Sequence, residues 1–172
     1  MSKNIRRKIL IVDDEPSVLN SLKRTLRKEH DVILSQDGFS AIQVLNEQEI
    51  AVIIADQRMP KMNGVTLLEK AMEIQPDTAR ILVTGYSDIQ AVIDAINEGN
   101  VYYYIHKPWE PEDVRLIIRQ AIDRYNLIQT NRSLVAEIEE TNRRLSDENL
   151  LLTQDAEKRY SFDQIIGESP IM

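Results

Sequence analysis

The sequence alternates short, β-rich apolar runs with amphipathic helical patterns over most of its length. Strands that alternate with helices are typical of βαβ units, in which a parallel sheet is buried on both faces. The pattern therefore predicts a doubly wound, five-stranded α/β domain over residues 1–125. The apolar runs are KILIV (8–12), DVILS (31–35), AVIIA (51–55), RILVT (80–84) and VYYYI (101–105), and the helical patterns cover residues 16–28, 39–47, 65–74 and 88–98, with a further one opening at Glu110.

Length, charge and cysteine content exclude several classes of protein. The chain has 172 residues, with 28 acidic against 21 basic side chains and a net charge of −7. This balance argues against direct binding of nucleic acid or of an anionic lipid surface by this chain. No cysteine is present, so disulfides and thiolate chemistry are excluded. Apolar runs are too short to span a membrane, and no signal-peptide core follows the start, so we expect a cytoplasmic protein.

Polar side chains stand where the predicted strands end. Asp13 and Asp14 directly follow the first strand, Asp56 directly follows the third, Thr84 ends the fourth, and Lys107 lies just after the fifth. Doubly wound sheets bind ligands at the carboxyl ends of their strands, at the switch point between strands one and three when the order is 2-1-3-4-5. With this flavodoxin-like order, which is taken by analogy, all five side chains share one edge of the sheet.

Three carboxylates in one small volume require a cation. Like charges at short range raise one another's pKa unless a positive ion is present, and Mg2+ suits a site of few carboxylates that keeps several waters. An ammonium and a hydroxyl beside such a site also suit a phosphoryl group. The alternative interpretation is that Asp13 and Asp14 cap a helix N-terminus and that Asp56 is a solvated loop acid.

Four segments carry a resemblance to a known family. ILIVDDEPSVL, ADQRMPKMNG, ILVTGYSD and YYYIHKPW together resemble the response-regulator receiver domain of bacterial two-component signalling, over residues 8 to 125. The resemblance implies that Asp56 accepts a phosphoryl group from a histidine kinase. It also implies that Mg2+ is held by Asp13, Asp14, Asp56 and the backbone carbonyl of Arg58, with Asp14 the more direct ligand and Asp13 acting through water.

The same resemblance assigns roles around the phosphoacceptor. Thr84 and Lys107 would contact the phosphoryl oxygens, and the bond between Lys107 and Pro108 would be cis. Tyr104 matches the family's switch aromatic, which turns inward when Thr84 moves toward the phosphoryl group. Gly85 would leave room for that group, and we hypothesise that the bulk of Arg58 and Tyr86 slows the approach of water.

The region after residue 112 has a different pattern. No glycine or proline interrupts residues 112–162, so one helix continues the last receiver helix outward, and a heptad repeat over 112–160 predicts a parallel dimeric coiled coil. Asparagine at position a costs stability but favours parallel, in-register pairing. A solvated single helix is the alternative. The predicted dimer seam consists of Ile128, Val135, Asn142 and Asn149 at a, with Ile138, Leu145 and Leu152 at d.

The last residues carry a second, shorter resemblance. Residues 161–172, which contain IIGESPIM, resemble the opening of the AAA+ ATPase module of sigma-54-dependent, NtrC-type transcription activators. The resemblance implies that DNA and sigma-54 polymerase are bound through domains missing from this chain. No GxxxxGK[ST] loop is present, so this chain is not expected to act as an ATPase.

Three alternatives remain beside a receiver that controls such an activator. The receiver could feed another output, such as a cyclic-dinucleotide enzyme or a histidine-kinase-like module. A Mg2+-dependent phosphatase with an aspartyl-phosphate intermediate is a different class, but such enzymes typically carry an acid two residues after the nucleophile, where this chain has Arg58. A purely structural dimerisation module with a degenerate receiver would not need the intact set of acids.

Overall fold

The computed structural model describes residues 5–167, and side chains within residues 5–164. Strands and helices alternate along the chain as predicted. The strands are β1 (Lys8–Val12), β2 (Asp31–Ser35), β3 (Val52–Asp56), β4 (Ala79–Thr84) and β5 (Tyr103–His106). The helices are α1 (Pro16–Leu26), α2 (Gly38–Glu47), α3 (Gly64–Ile74), α4 (Ile89–Asn97) and α5 (Pro111–Gly167), with a short 3-10 helix at Tyr86–Asp88.

The five strands form one parallel sheet in the order β2-β1-β3-β4-β5. This confirms the doubly wound, flavodoxin-like arrangement that the sequence predicted. Because β1 and β3 are neighbours at the centre, the loops that follow them open at the same place on the carboxyl edge.

Helices cover both faces of the sheet. Alternating residues of each central strand point to opposite faces, so the strands contain almost only buried apolar side chains. On one face Ile9 and Ile54 pack against Leu22 of α1 and Ile118 of α5. On the other face lie α2, α3 and α4, whose buried residues include Leu67. The sheet is thereby fixed from both sides, which holds its carboxyl edge in place.

Side-chain caps start two of the helices that lead away from this edge. Asp37 accepts a hydrogen bond from the amide of Ser40 at the start of α2. Asn63 accepts one from the amide of Thr66 at the start of α3. Such caps satisfy amides that have no partner within the helix.

Three strands differ slightly from their predicted bounds, and β4 begins one residue early, at Ala79. Asp56 is the last residue of β3, paired with Val83, where the sequence placed it just outside the strand. β5 begins two residues later than predicted because the chain before it is held by Arg80. The buried guanidinium of Arg80 donates hydrogen bonds to the carbonyls of Gly99 and Asn100, so this segment turns before it joins the sheet.

The chain divides into two compact units, Met1–Gln129 and Thr130–Met172. In the first unit, Val114 and Ala121 of α5 are buried in the core of the sheet domain. These two residues therefore do not belong to a coiled-coil seam, although the heptad pattern extends back over them. α5 is continuous, as predicted, and runs beyond the predicted end of the helical pattern to Gly167.

In the second unit, every side chain described between residues 130 and 164 is exposed. The exposed side chains include Leu134, Ile138, Leu145 and Leu152. The predicted ATPase opening at 161–172 lies partly in this helix, and residues 168–172 lie outside the described residues. Among residues 5–167, no helix has the length and apolar character needed to cross a membrane.

Candidate functional site

Three carboxylates converge at the carboxyl edge of the sheet. Asp13 and Asp14 follow β1, and Asp56 ends β3, so the pairing of these strands brings them together. One carboxylate oxygen from each residue lies within 4.8 Å of the other two. Asp13 and Asp56 are buried, whereas Asp14 is exposed. The arrangement that the sequence predicted for these acids is therefore present.

Asp13 is the most deeply buried of the three acids, at 1% exposure. Its Oδ1 accepts a hydrogen bond from the amide of Glu15 at 2.9 Å, whereas its Oδ2 has no hydrogen-bond partner among the described residues. Burial, reinforced by the charge of Asp56, raises the pKa of Asp13 to about 6. A buried carboxylate with an unsatisfied oxygen fits a cation ligand.

Lys107 reaches the acids from the loop after β5. Its Nζ lies 2.8 Å from Oδ1 of Asp56 and 3.8 Å from Oδ2 of Asp13. Burial raises the pKa of Asp56 by more than the hydrogen bond and charge of Lys107 lower it. Burial opposes the charged form of Lys107, but the hydrogen bond and charge of Asp56 outweigh it, so the pKa of Lys107 lies above its usual value.

Thr84 lies at the end of β4, beside the acids. Its hydroxyl is buried and donates to the carbonyl of Gly85 at 3.2 Å. The amide of Lys107 donates to the carbonyl of Thr84 at 2.8 Å, which ties the lysine loop to β4, and the bond between Lys107 and Pro108 is cis. Among the described residues, no atom lies within 4 Å of where a Cβ on Gly85 would stand, so there is open space next to Thr84.

Gly64 packs directly against the backbone of Asp56. A Cβ at Gly64 would stand 2.5 Å from the Asp56 carbonyl oxygen and 2.7 Å from a methyl carbon of Leu82. The amide of Gly64 donates to the carbonyl of Gln57, which holds the start of α3 against the end of β3. This close approach needs a residue without a side chain.

Arg58, two residues after Asp56, connects two loops at this edge. Its backbone amide lies near the Asp56 carboxylate and acts to lower the pKa of that group. Its guanidinium makes an ion pair with Asp88, with Nε 3.0 Å from Oδ2, and donates to the hydroxyl of Ser87 at 2.6 Å. Sequence reasoning did not single out Ser87 or Asp88, because both read as part of the next helix start.

The two aromatic residues that the sequence singled out are exposed. Tyr86 is 76% exposed, and its ring makes an edge contact with His106 at a centroid distance of 4.1 Å. Tyr104 is 43% exposed and stacks on Tyr103. The proposed switch aromatic is thus in an outward position.

The donor set fits a small, hard cation. Carboxylate oxygens alone suit Mg2+, and buried Asp13, which has one unsatisfied oxygen, belongs to the cluster formed with Asp14 and Asp56. The ammonium of Lys107 and the hydroxyl of Thr84 add two donors at the same edge. The site therefore places the carboxylate of Asp56 next to a candidate cation position, the ammonium of Lys107 and the open space beside Gly85.

Comparisons with known proteins agree with this geometry. The family model described as the response regulator receiver domain matches residues 9–119. That segment contains all five side chains predicted for the site.

Curated relatives include several transcriptional regulators. The hydrogenase transcriptional regulatory protein HoxA of Bradyrhizobium diazoefficiens is 31% identical over 98% of this chain and 35% of the relative. The DNA-binding transcriptional regulator NtrC of Proteus hauseri is 27% identical over 95% of this chain and 30% of the relative. The chain thus spans about a third of the length of these relatives.

Solved structures share the fold. A receiver domain protein from Clostridium thermocellum matches with a TM-score of 0.68 and 32% identity, over 71% of this chain and 98% of the other. A structure described as adenylate cyclase from Rhodopirellula baltica matches with a TM-score of 0.74 and 32% identity, over 76% of this chain and 98% of the other.

Proposed function

Because this chain belongs to the response regulator receiver domain family, we propose that Asp56 accepts a phosphoryl group from the phosphohistidine of a sensor histidine kinase. The single observation that carries this proposal is the position of Asp56. Its carboxylate lies within reach of two further carboxylates and 2.8 Å from the ammonium of Lys107. The chain acts in this role as a regulatory protein.

In the proposed step, a carboxylate oxygen of Asp56 forms the new bond to phosphorus. The phosphorus–nitrogen bond of the phosphohistidine breaks, its electron pair stays on the imidazole nitrogen, and the ring takes up a proton. Lys107 and Thr84 donate hydrogen bonds to the oxygens of the transferred group, and Gly85 leaves space for it. Water later hydrolyses the acyl phosphate, which limits the lifetime of the signal.

Mg2+ is the proposed cofactor. Asp13, Asp14 and Asp56 would hold it, together with the backbone carbonyl of Arg58, and it would neutralise negative charge on the transferred group. Without the ion, Asp13 is a buried carboxylate with one unsatisfied oxygen, which supports a cation in this position.

Phosphorylation is proposed to switch the carboxyl edge between two states. The hydroxyl of Thr84 now donates to the carbonyl of Gly85 and would turn to the phosphoryl oxygens. Tyr104, now exposed, would then move inward. One local charge thereby biases a two-state element.

A second copy of this chain is the proposed partner of α5. The seam residues from Val135 to Leu152 lie in a helix whose described side chains are all exposed after residue 130. Exposed leucine and isoleucine at heptad spacing support pairing, and Asn142 and Asn149 favour a parallel, in-register dimer. The coiled coil would begin near Ile128, where α5 leaves the sheet domain.

The proposed output is a sigma-54-dependent transcription activator located in the cytoplasm. The receiver match, the relatives HoxA and NtrC and the IIGESPIM segment together support this output. ATP hydrolysis and binding of DNA and sigma-54 polymerase would belong to domains outside this chain.

Mass spectrometry tests the phosphoryl transfer directly. The chain is incubated with Mg2+ and acetyl phosphate, and its mass is measured beside the Asp56→Asn variant. We expect one phosphoryl adduct that needs Mg2+ and is lost in Asp56→Asn. Light scattering on the same samples measures the association state. A persistent adduct in Asp56→Asn, or none in either protein, would overturn the proposed role of Asp56.

A further inference from the structure

The loop between β4 and α4 is tied to the loop after β3 by a single arginine. Arg58 places Nε and Nη2 on Asp88, at 3.0 to 3.3 Å, and a further hydrogen bond from Nη2 reaches Ser87. A guanidinium that binds both oxygens of one carboxylate forms a geometrically specific pair. We call these three residues the arginine latch.

Asp88 is the more buried partner in this pair. Its side chain is 17% exposed, against 69% for Arg58. Asp88 occupies the N-cap position of α4, where aspartate is among the preferred residues. Yet its carboxylate makes no capping hydrogen bond to α4 within the described chain. While its carboxylate binds Arg58, Asp88 therefore does not cap α4.

Arg58 is also the nearest arginine in sequence to the acceptor. Arg58 follows Asp56 by two residues, and its backbone amide is close enough to the Asp56 carboxylate to lower the pKa of that group, so the base of its side chain lies next to Asp56. A phosphorylated Asp56 would carry nearly two negative charges and three strong acceptor oxygens, which arginine binds well. The phosphoryl group would therefore compete with Asp88 for the same guanidinium.

From this arrangement we propose that Arg58 exchanges ligands when Asp56 is phosphorylated. Its guanidinium leaves Asp88 and Ser87 for the phosphoryl oxygens, and the released carboxylate of Asp88 caps α4. This inference rests on the proposed phosphorylation of Asp56. It adds a second link between the site and α4, separate from the movement of Thr84.

The exposed apolar face of α4 is the surface that the ligand exchange of Arg58 would affect. Ile89, Ile93 and Ile96 of α4 are 54%, 44% and 40% exposed. A new cap changes the first turn of a helix that has only nine residues, so the position of this apolar face would depend on the latch. Release of Asp88 would thus convert a charge at Asp56 into a change on the surface of α4.

Nuclear magnetic resonance of the full chain observes the exchange directly. The Nε–H signal of Arg58 is followed as beryllofluoride, a stable mimic of the phosphoryl group, is added with Mg2+. The backbone amides of Thr84 and Lys107 report whether the mimic binds. We expect all three signals to shift, and the Arg58 signal of the Asp88→Asn variant to be displaced before any mimic is added.

Two outcomes separate the latch from the proposed function. If Thr84 and Lys107 shift while the Arg58 signal stays in place, the site binds the mimic but the ligand exchange is wrong. If none of the three signals shifts, the phosphoryl-accepting role itself fails.

Variants of Asp88 then test the competition. Asparagine caps helices as well as aspartate, so Asp88→Asn removes the ion pair and keeps the cap, whereas Asp88→Ala removes both. We expect Asp88→Asn to bind beryllofluoride about two- to fivefold more tightly than the wild type, the range of an exposed ion pair, and Asp88→Ala to gain less. Asp94→Asn is the control, because it removes an exposed charge of α4 that pairs with Gln90. An equal gain in Asp94→Asn, or no gain in Asp88→Asn, would refute the latch.

Discussion

The ammonium of Lys107 lies 2.8 Å from the carboxylate of Asp56, although Asp56 ends β3 and Lys107 lies in the loop after β5. β4 separates β3 from β5 in the sheet, so the lysine must reach across the end of β4 to make this contact. The amide of Lys107 donates to the carbonyl of Thr84, which fixes the backbone of Lys107 beside the end of β4. Lys107 therefore offsets part of the negative charge of the acids that are proposed to hold Mg2+.

Replacing Lys107 should strengthen the binding of Mg2+. Lys107→Met removes a positive charge that lies 2.8 Å from Asp56 and 3.8 Å from Asp13, so the acids become a more negative ligand set. We expect the Mg2+ affinity to rise about five- to tenfold by isothermal titration calorimetry. Phosphorylation by acetyl phosphate should slow, because the phosphoryl oxygens lose a donor. Lys61→Met, in the exposed turn before α3, serves as the control and should leave the Mg2+ affinity unchanged.

Removing the charge of Asp13 should stabilise the metal-free protein. The pKa of buried Asp13 is raised to about 6, so its ionised form costs free energy at pH 7. Asp13→Asn should therefore increase the free energy of unfolding in EDTA by about 1 to 2 kcal/mol at pH 7. The same variant should lose Mg2+ binding. Urea unfolding of both proteins, with and without Mg2+, measures these changes.

The stability difference between these two proteins should also depend on pH. The folded state of the wild type takes up a proton on Asp13 at a higher pH than the unfolded state does, because the folded pKa is about 6 and the ordinary value is 3.8. Lowering the pH from 7 toward 5 therefore stabilises the metal-free wild type, and the advantage of Asp13→Asn should shrink. An advantage that stays constant over this range would show that Asp13 is not the titrating group.

Two glycines near Asp56 should respond differently to alanine. A Cβ at Gly64 would overlap the carbonyl oxygen of Asp56 and a methyl group of Leu82, so Gly64→Ala should cost about 1 to 3 kcal/mol of stability and slow phosphorylation. Gly85→Ala is the matched comparison, because its Cβ would meet no atom within 4 Å among the described residues. It should fold with unchanged stability. Urea unfolding distinguishes the two, and equal losses would contradict the packing argument.

Much of the fold follows from local pattern, and the exceptions have tertiary causes. Apolar runs predicted the central strands almost to the residue, because buried parallel strands such as β1 and β3 are rich in isoleucine, valine and leucine. β5 was placed two residues early, because the buried guanidinium of Arg80 holds the preceding segment through carbonyls that carry no sequence signal.

In the candidate site, too, some residues follow from local pattern and others depend on tertiary contacts. Asp13, Asp14, Asp56, Thr84 and Lys107 could be identified because each stands at the end of a strand, and the sheet topology brings strand ends together. The ion pair that Arg58 makes could not be predicted. Ser87 and Asp88 resemble an ordinary helix start, and only the folded chain brings a distant arginine to them.

Side chains at the entrance to Asp56 should control the lifetime of the phosphoryl group. Arg58 lies in the loop after β3 and Tyr86 directly follows Gly85, and their bulk is expected to slow the approach of water to Asp56. Arg58→Ala and Tyr86→Ala should each lose the phosphoryl group several-fold faster than the wild type. Mass spectrometry after removal of acetyl phosphate measures this decay. Phe39→Ala, an exposed aromatic residue of α2, is the control. Unchanged decay in both variants would refute the shielding role.

The heptad pattern of α5 predicts which apolar residues hold a dimer together. Ile138 and Leu145 occupy position d and are 58% and 52% exposed, whereas Leu151 is 61% exposed but lies outside positions a and d. Charged side chains in the seam would be desolvated on pairing, so Ile138→Lys with Leu145→Lys should convert the chain to monomers in sedimentation equilibrium. Leu151→Lys should leave the association state unchanged, because position c faces water in a dimer. A wild type that is monomeric at high concentration would instead favour a solvated single helix.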